Sequence, residues 1–204
     1  MLYRLGHFVF RIVYLVLFKR RVYGGEQLPH QGPLIICANH VNWQDPLIIG
    51  SALPAHYKIK YMAKEELFRN RFVAYFLKKA GAFPVNRQKA DIAAVRRCFK
   101  VLDEGGVIGL FPEGTRSKSG ELQHLQEGAA LIAARSGAPV LPVLVTGSYR
   151  TGGPLSVAIG PVFSLPGLDY KGRKERKAQL EEGSRMIYES LRALYPADQN
   201  VESL

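Results

Sequence analysis

Short apolar runs alternate with longer amphipathic stretches along most of the chain. Several of these runs are apolar throughout, as expected for strands of a sheet that is covered on both faces. They predict strands over residues 34–38, 58–63, 82–85, 107–111, 140–146 and 155–159. The amphipathic stretches predict helices over residues 46–53, 65–80, 91–104, 127–136 and 173–194. Strands that alternate with helices indicate an α/β fold, with a mostly parallel or mixed sheet flanked by helices.

The segment 2–18 follows a different pattern. It is strongly apolar but carries Arg4, His7 and Arg11, which fall on one narrow face of an α-helix. A helix that spans a bilayer needs about 20 predominantly apolar residues, and this segment is shorter and interrupted by basic side chains. The pattern predicts an amphipathic membrane-surface helix, followed by basic residues that meet anionic headgroups, namely Lys19, Arg20 and Arg21. A helix packed against the domain and a single membrane span are the alternatives.

The rest of the chain is expected to form one domain. Residues 22–33 are rich in Gly and Pro and are interpreted as a connector. No internal repeat or further linker follows, and 204 residues are enough for one domain with a well-buried core. The predicted division is therefore an N-terminal helix within residues 1–21 and a folded domain over residues 22–204.

The charge balance narrows the range of partners. Lys and Arg outnumber Asp and Glu by 28 to 17, and the net charge of +11 favours an anionic bilayer, a phosphorylated substrate or nucleic acid. Nucleic acid is not expected, because the sequence contains no recognisable nucleic-acid-binding motif or aromatic stacking platform. The two cysteines, Cys37 and Cys98, lie in apolar segments without C-x-x-C spacing, which argues against a zinc site or a disulfide. A reduced, cytosol-facing protein fits this cysteine usage.

A His and an Asp lie between the first apolar strand and a short apolar helix. Asp45 followed by Pro46 is typical of a helix start, with Asp45 as the N-cap and His40 in the preceding loop. A carboxylate that holds one imidazole nitrogen leaves the other free to take a proton from a hydroxyl. The pair resembles two thirds of a hydrolase triad, and it needs no serine if the substrate supplies the hydroxyl. A capping Asp with a structural His is the alternative, although sites of α/β folds lie at strand ends.

Cationic side chains follow three other predicted strands. Lys64, Arg87 and Arg116 each come just after an apolar run, and Arg116 lies in the Gly- and hydroxyl-containing segment 111–117. Three cations at strand ends beside a candidate base would form an anion pocket. For each segment alone, a surface turn with an ordinary salt bridge is the alternative.

Four segments, in this order, resemble the conserved boxes of the glycerolipid acyltransferases. Asn39-His40 to Asp45 is similar to the N-H-x-x-x-x-D box, and Phe-Pro-Glu-Gly-Thr-Arg-Ser at 111–117 is similar to the F-P-E-G-T-R-S box. Residues 81–87 resemble the second, phosphate-associated box, and residues 140–143 the short apolar fourth box. The resemblance extends over roughly residues 20–165.

The resemblance implies direct acyl transfer without an acyl-enzyme. His40 would deprotonate a glycerol hydroxyl that attacks the thioester of acyl-CoA or acyl carrier protein, while Asp45 orients the imidazole. The implied acceptor is lysophosphatidic acid and the product phosphatidic acid, made at a membrane surface. No metal or cofactor is implied. The residues implied to bind the substrate phosphate are Lys64, Arg87, Glu113, Gly114, Thr115 and Arg116.

Other functions remain open at this stage. The acceptor could be glycerol 3-phosphate or another lysophospholipid, and a non-catalytic lipid-binding protein would also explain the basic, amphipathic N-terminus. Localisation is expected to be peripheral or monotopic on a membrane, with the active site facing the cytoplasm. Phe72 and Phe76 are expected to pack in the core rather than line an acyl groove, and His7 has no identifiable partner.

Overall fold

The computed structural model describes residues 2–26, 28–86, 91–168 and 172–196. Its helices are α1 Leu2–Leu17, α2 Asp45–Ala52, α3 Arg71–Lys79, α4 Ile92–Asp103, α5 Glu127–Ser136 and α6 Arg173–Arg192. Its strands are β1 Arg20–Tyr23, β2 Leu34–Ala38, β3 Lys60–Lys64, β4 Phe83–Val85, β5 Val107–Leu110, β6 Val140–Gly147 and β7 Leu155–Ile159. Two short 3₁₀ turns, Ala55–Tyr57 and Glu65–Phe68, precede and follow β3.

The strands form one mixed sheet in the order β1-β7-β6-β2-β5-β3-β4. Only the β6–β7 pair of these described strands is antiparallel. The predicted α/β fold with a mixed, helix-flanked sheet is confirmed. Because β6, β2, β5, β3 and β4 run in one direction, the segments that follow them reach the same edge of the sheet.

The position of β2 in the centre of the sheet explains why its sequence is an uninterrupted apolar run. All five of its residues are buried. Ile35 and Cys37 face a core that includes side chains of α4, α5 and α6. Ile36 and Ala38 face a second core that includes side chains of α1 and α2. Both faces of the strand therefore exclude polar side chains, and period-2 alternation is absent.

Two predicted segments differ from the structure by more than a shift of one or two residues. The predicted connector contains the end of β1, because Val22 and Tyr23 pair in parallel with β7. This edge strand is mostly exposed and basic, so it has no apolar run to reveal it. The single helix predicted over residues 65–80 is a 3₁₀ turn followed by α3. Asn70 caps α3 by accepting hydrogen bonds from the backbone N–H groups of Phe72 and Val73.

Helix α1 both packs on the domain and exposes an apolar face. Tyr14 and, just beyond the helix, Phe18 are buried in the core shared with α2, and His7 Nε2 lies 2.9 Å from the Leu53 carbonyl. Thus His7 has a partner that the sequence did not indicate. Side chains on the remaining surface are exposed: Phe8, Val9, Phe10, Ile12, Leu15, Val16 and Leu17. Among the described helices, none is long and apolar enough to cross a membrane.

Arg20 does not have the environment expected for a headgroup-binding residue. Its side chain is buried, and its guanidinium donates a hydrogen bond to the Ser51 hydroxyl of α2. Burial lowers the pKa of Arg20. The neighbours Lys19 and Arg21 are exposed. Of the three basic residues expected to meet headgroups, Arg20 is therefore buried in the fold and bonded to Ser51.

Gly109 of β5 provides a test of the packing beneath the site. A Cβ atom added there would overlap the ring of Tyr61, which stacks on Phe111 with ring centroids 6.0 Å apart. Gly109→Ala should therefore lower the free energy of unfolding by about 1–3 kcal/mol through overpacking. Gly128→Ala is the matched control, since the added methyl meets open space within α5 and should stabilise the helix by up to about 1 kcal/mol. Urea denaturation measures both values, and equal stability of the two variants would contradict this account.

Candidate active site

His40 and Asp45 form a buried pair at the edge where β2 ends. The His40 Nδ1 atom lies 2.9 Å from Asp45 Oδ2. Asp45 is fully buried and only 7% of His40 is exposed. His40 follows β2 by two positions, and Asp45 is the first residue of α2. The intervening loop folds back, which brings together two side chains that a continuous helix would hold about 140° apart.

Asp45 is not the N-cap that the sequence predicted. Gln44 occupies the cap position and makes no side-chain cap bond. The Asp45 carboxylate instead points back into the loop, where Oδ2 accepts hydrogen bonds from the backbone N–H groups of Val41 and Asn42, each at 2.8 Å. The loop is thus wound around the carboxylate, which orients the imidazole at the same time.

Tyr149 completes the shell around this carboxylate and was missed by sequence reasoning. Its hydroxyl donates to Asp45 Oδ1 at 2.6 Å. Burial, together with the charge and hydrogen bond of Asp45, raises the pKa of Tyr149 and keeps it a donor. Tyr149 lies two residues beyond β6, the strand next to β2. Its position after a strand is the signal that could have found it.

The hydrogen bond to Asp45 selects one tautomer of His40. A proton on Nδ1 is donated to the carboxylate, and Nε2 is then the basic nitrogen. The imidazole is also stacked against Phe111, with ring centroids 4.1 Å apart and an interplanar angle of 22°. The ring is therefore restrained both by a hydrogen bond and by packing.

The segment 111–117 is attached to His40 at two points. The backbone N–H of His40 donates to Glu113 Oε1 at 2.7 Å, and the backbone N–H of Ser117 donates to the His40 carbonyl at 2.7 Å. The turn 114–116 lies between these anchors and is thereby placed beside His40. Gly114 has φ +74°, a left-handed conformation that favours glycine. Thr115 and Arg116 are exposed at this turn.

Glu113 occupies a structural position within that loop. It is buried, and its second oxygen accepts a hydrogen bond from the Gln123 backbone N–H at 3.2 Å. Burial raises the pKa of Glu113, although the two backbone hydrogen bonds oppose this effect. Both carboxylate oxygens therefore bind the chain itself. These contacts favour a role in positioning the loop over the predicted role in phosphate binding.

Of two further cations predicted to bind phosphate, the structure describes Lys64 but not Arg87. Lys64 ends β3 at the same sheet edge, half-exposed, with its Nζ 3.1 Å from Glu66 Oε1. Val85 of β4 lies beside Lys64 in the sheet register. Arg87 follows two residues later and lies outside the described residues.

Asn39 and the cysteines serve the scaffold. The Asn39 side chain bonds the backbone of Val145 in both directions, donating to its carbonyl and accepting from its N–H at 2.8 Å. It thus fixes the start of the His40 loop to β6.

Cys37 and Cys98 are buried free thiols, and burial raises their pKa to about 12 and about 11. Among the described residues there is no group of three or more His, Cys, Asp or Glu that could hold a metal ion.

The arrangement defines a class of site. A buried carboxylate orients the His40 imidazole, and the turn that carries Arg116 is hydrogen-bonded to the backbone of the same histidine. The described hydrogen bond of the His40 ring goes to Asp45 rather than to a serine or cysteine nucleophile. Such a site suits a general base that acts on a hydroxyl carried by an anionic substrate.

Comparison with known proteins agrees with this class. A family model described as Acyltransferase matches residues 19–146, a range that contains His40, Asp45 and the 111–117 segment. The chain therefore belongs to the acyltransferase family, as its four boxes indicated.

Individual relatives extend the comparison. The chain is 35% identical over 168 residues to 1-acyl-sn-glycerol-3-phosphate acyltransferase of Bacillus subtilis, covering 79% of this chain and 82% of the relative. It is 35% identical over 133 residues to the protein of that name from Borreliella burgdorferi, covering 64% of this chain and 52%, about half, of the relative. The crystal structure of the 1-acyl-sn-glycerophosphate (LPA) acyltransferase PlsC from Thermotoga maritima has the same fold. It superposes with a TM-score of 0.62 at 24% identity, covering 92% of this chain and 77% of that one.

Tyr149→Phe removes the hydroxyl that donates to Asp45 and tests whether this hydrogen bond supports the predicted function of His40 as a base. Loss of a hydrogen bond to a buried charge costs roughly 1.5–3 kcal/mol, which corresponds to about tenfold or more in kcat if it is expressed in the transition state. We expect kcat to fall with KM nearly unchanged, because Tyr149 acts through Asp45. Tyr57→Phe is the matched control, as its hydroxyl donates to the Pro29 carbonyl instead. An equal loss of kcat in both variants would refute a positioning role for Tyr149.

Proposed function

We propose that this chain transfers a fatty acyl group from an acyl thioester to the sn-2 hydroxyl of 1-acyl-glycerol 3-phosphate. The product is phosphatidic acid, for phospholipid synthesis. The observation that carries the proposal is the attachment of the Arg116 turn to the backbone of a carboxylate-oriented His40. The names of the Bacillus and Borreliella relatives support this acceptor.

His40 is the base in the proposed reaction. Its Nε2 takes the proton of the acceptor hydroxyl as the oxygen attacks the thioester carbonyl carbon, forming the new C–O bond. The tetrahedral intermediate then collapses, the C–S bond breaks, and the imidazolium returns the proton to the departing thiolate. Asp45 stabilises the imidazolium, and general-base catalysis of this kind contributes about 10²- to 10⁴-fold. The donor acyl group passes directly to the acceptor.

The acceptor phosphate is assigned to the turn beside His40. Arg116 supplies a forked cation, Gly114 and Thr115 supply the turn itself, and Lys64 adds charge from the end of β3. Arg87 is assigned to the same phosphate from the sequence. Glu113 is assigned a positioning role instead, because both of its oxygens accept backbone hydrogen bonds and its charge would repel a phosphate.

The proposal also covers the acyl donor and the location of the enzyme. Acyl-CoA and acyl carrier protein both present the required thioester, and no separate cofactor is proposed. The exposed apolar face of α1 supports peripheral attachment to a membrane. We assign the active site to the cytoplasmic side, where both donors are found. Thiol release from each donor, measured across lysophosphatidic acid, glycerol 3-phosphate and other lysophospholipids, tests the acceptor and donor together.

His40→Ala should abolish this reaction. Removal of the base should lower kcat by about 10²-fold or more, while the circular dichroism spectrum stays that of a folded protein. His56→Ala is a matched control, because His56 is exposed in the 3₁₀ turn before β3, at the opposite edge of the sheet. A His40→Ala protein that kept parental turnover would rule out the proposed mechanism.

Arg116→Ala should weaken binding of the phosphate-bearing acceptor. We expect KM for lysophosphatidic acid to rise about tenfold or more, as for a charge-assisted hydrogen bond worth about 1.5–3 kcal/mol. Turnover of a monoacylglycerol, which has the hydroxyl but no phosphate, should not change. Arg185→Ala is the control, since Arg185 is exposed on α6 and pairs with Glu182. A similar change of KM for both acceptors would argue against a phosphate contact.

A further inference from the structure

Helix α3 presents its aromatic residues to the outside of the molecule. Phe72 is 82% exposed and Phe76 is 69% exposed, whereas Ala74 between them is 8% exposed. The expectation that these phenylalanines pack in the core is therefore wrong. Such large apolar side chains are rarely left in water over a contiguous surface without a binding role.

The geometry of the helix explains the outward direction. Phe72 and Phe76 are four residues apart and share one side of α3. Ala74 is two positions from each, so it lies on the opposite side, and it is the buried residue of this helix. The helix thus rests on the domain through its smallest side chain. The exposed apolar surface extends to Val73, Tyr75 and, from the preceding 3₁₀ turn, Leu67.

Basic residues border this aromatic surface. The segment 69–79 contains no Asp or Glu, and its exposed cations are Arg69, Arg71, Lys78 and Lys79. The Lys79 ammonium lies 5.7 Å from the centre of the Tyr75 ring. Glu65 and Glu66 lie in the preceding 3₁₀ turn beside Leu67, and Glu66 pairs with Lys64, so cations remain in excess around the aromatic face. An aromatic face bordered by such an excess of cations matches the interface of a bilayer that contains anionic lipids. A second copy of this chain is a poor match, because two such surfaces would bring like charges together.

The right-handed crossover rule assigns α3 to the face of the sheet that carries α2, on which α1 packs. The crossovers from β2 to β3 through α2 and from β3 to β4 through α3 proceed in one direction along the sheet. Right-handed crossovers place both helices on one face. That face holds the core shared by α1 and α2, whereas α4 packs in the core of the other face. The start of α3 follows β3 near the sheet edge that carries His40.

We propose that α3 is a second membrane-contacting helix, which inserts Phe72 and Phe76 into an anionic bilayer while α1 attaches beside it. The inference deepens the proposed membrane-surface function. Two contact helices on one face would fix the orientation of the domain on the bilayer, with the His40 edge near the lipid acceptor. Membrane binding is measured without turnover, so its outcome is separate from that of the proposed reaction.

A single-tryptophan pair tests insertion directly. Trp43 is the chain's one tryptophan, so Trp43→Phe/Phe76→Trp and Trp43→Phe/Ile92→Trp each report one site. Ile92 is 65% exposed on α4, on the other face of the sheet. With phosphatidylglycerol–phosphatidylcholine vesicles we expect a blue shift for Phe76→Trp, and quenching by brominated acyl chains, but neither for Ile92→Trp. A vesicle-bound protein whose Phe76→Trp emission does not move would overturn the proposal.

Affinity supplies an independent measurement. Phe72→Ser/Phe76→Ser should weaken cosedimentation with these vesicles by about tenfold or more, whereas Ile92→Ser should bind like the parent. His40→Ala should also bind like the parent, which separates membrane contact from catalysis. Unchanged binding by the double serine variant would overturn the proposal. So would sedimentation velocity showing a parental dimer, without lipid, that this variant alone disrupts.

Discussion

The buried carboxylate of Asp45 accepts four hydrogen bonds, and the position of the His40 imidazole depends on them. Burial of a charge costs several kcal/mol of folding free energy unless its oxygens accept hydrogen bonds. Loss of any of these donors would therefore be strongly unfavourable. Two of the donors are backbone groups of the loop after β2, one is the His40 imidazole, and one is the hydroxyl of Tyr149 from the loop after β6. One charge therefore joins the ends of two adjacent strands and fixes the direction of the imidazole.

The sheet topology brings the rest of the site to the same place. Since β2 lies between β6 and β5, the loops that follow these three strands converge, and each contributes a contact to the His40 pair. The loop after β5 adds Phe111 against the imidazole and binds the His40 peptide through Glu113 and Ser117. The Arg116 turn and the His40 imidazole are thus parts of one hydrogen-bonded unit. Preorganisation of this kind reduces the reorganisation needed during catalysis.

A lipid substrate also requires access from a membrane, and the helices on one face of the sheet are suited to provide it. Helix α1 packs on α2 through Tyr14 and leaves its other surface apolar and exposed. Helix α3 packs through Ala74 and leaves Phe72 and Phe76 exposed in the same way. In both helices the contact with the domain occupies one side only, so the described part of the chain leaves the remaining apolar residues uncovered. Contact with a bilayer would cover both surfaces at once.

Local patterns were sufficient for much of the fold and for the central chemistry. The strands β2 and β7 and the helix α5 have the predicted limits, because short apolar runs and the turn residues around them are properties of neighbouring residues. The His40 and Asp45 pair and the 111–117 loop were also predictable, since a strand end precedes each of them. Contacts between distant segments were not. Tyr149 reaches Asp45 across 104 positions, β1 exists through pairing with β7, and Arg20 is buried through Ser51. The side of α3 that meets the domain likewise depends on the sheet beneath it, because an amphipathic pattern does not state whether protein or lipid covers its apolar face.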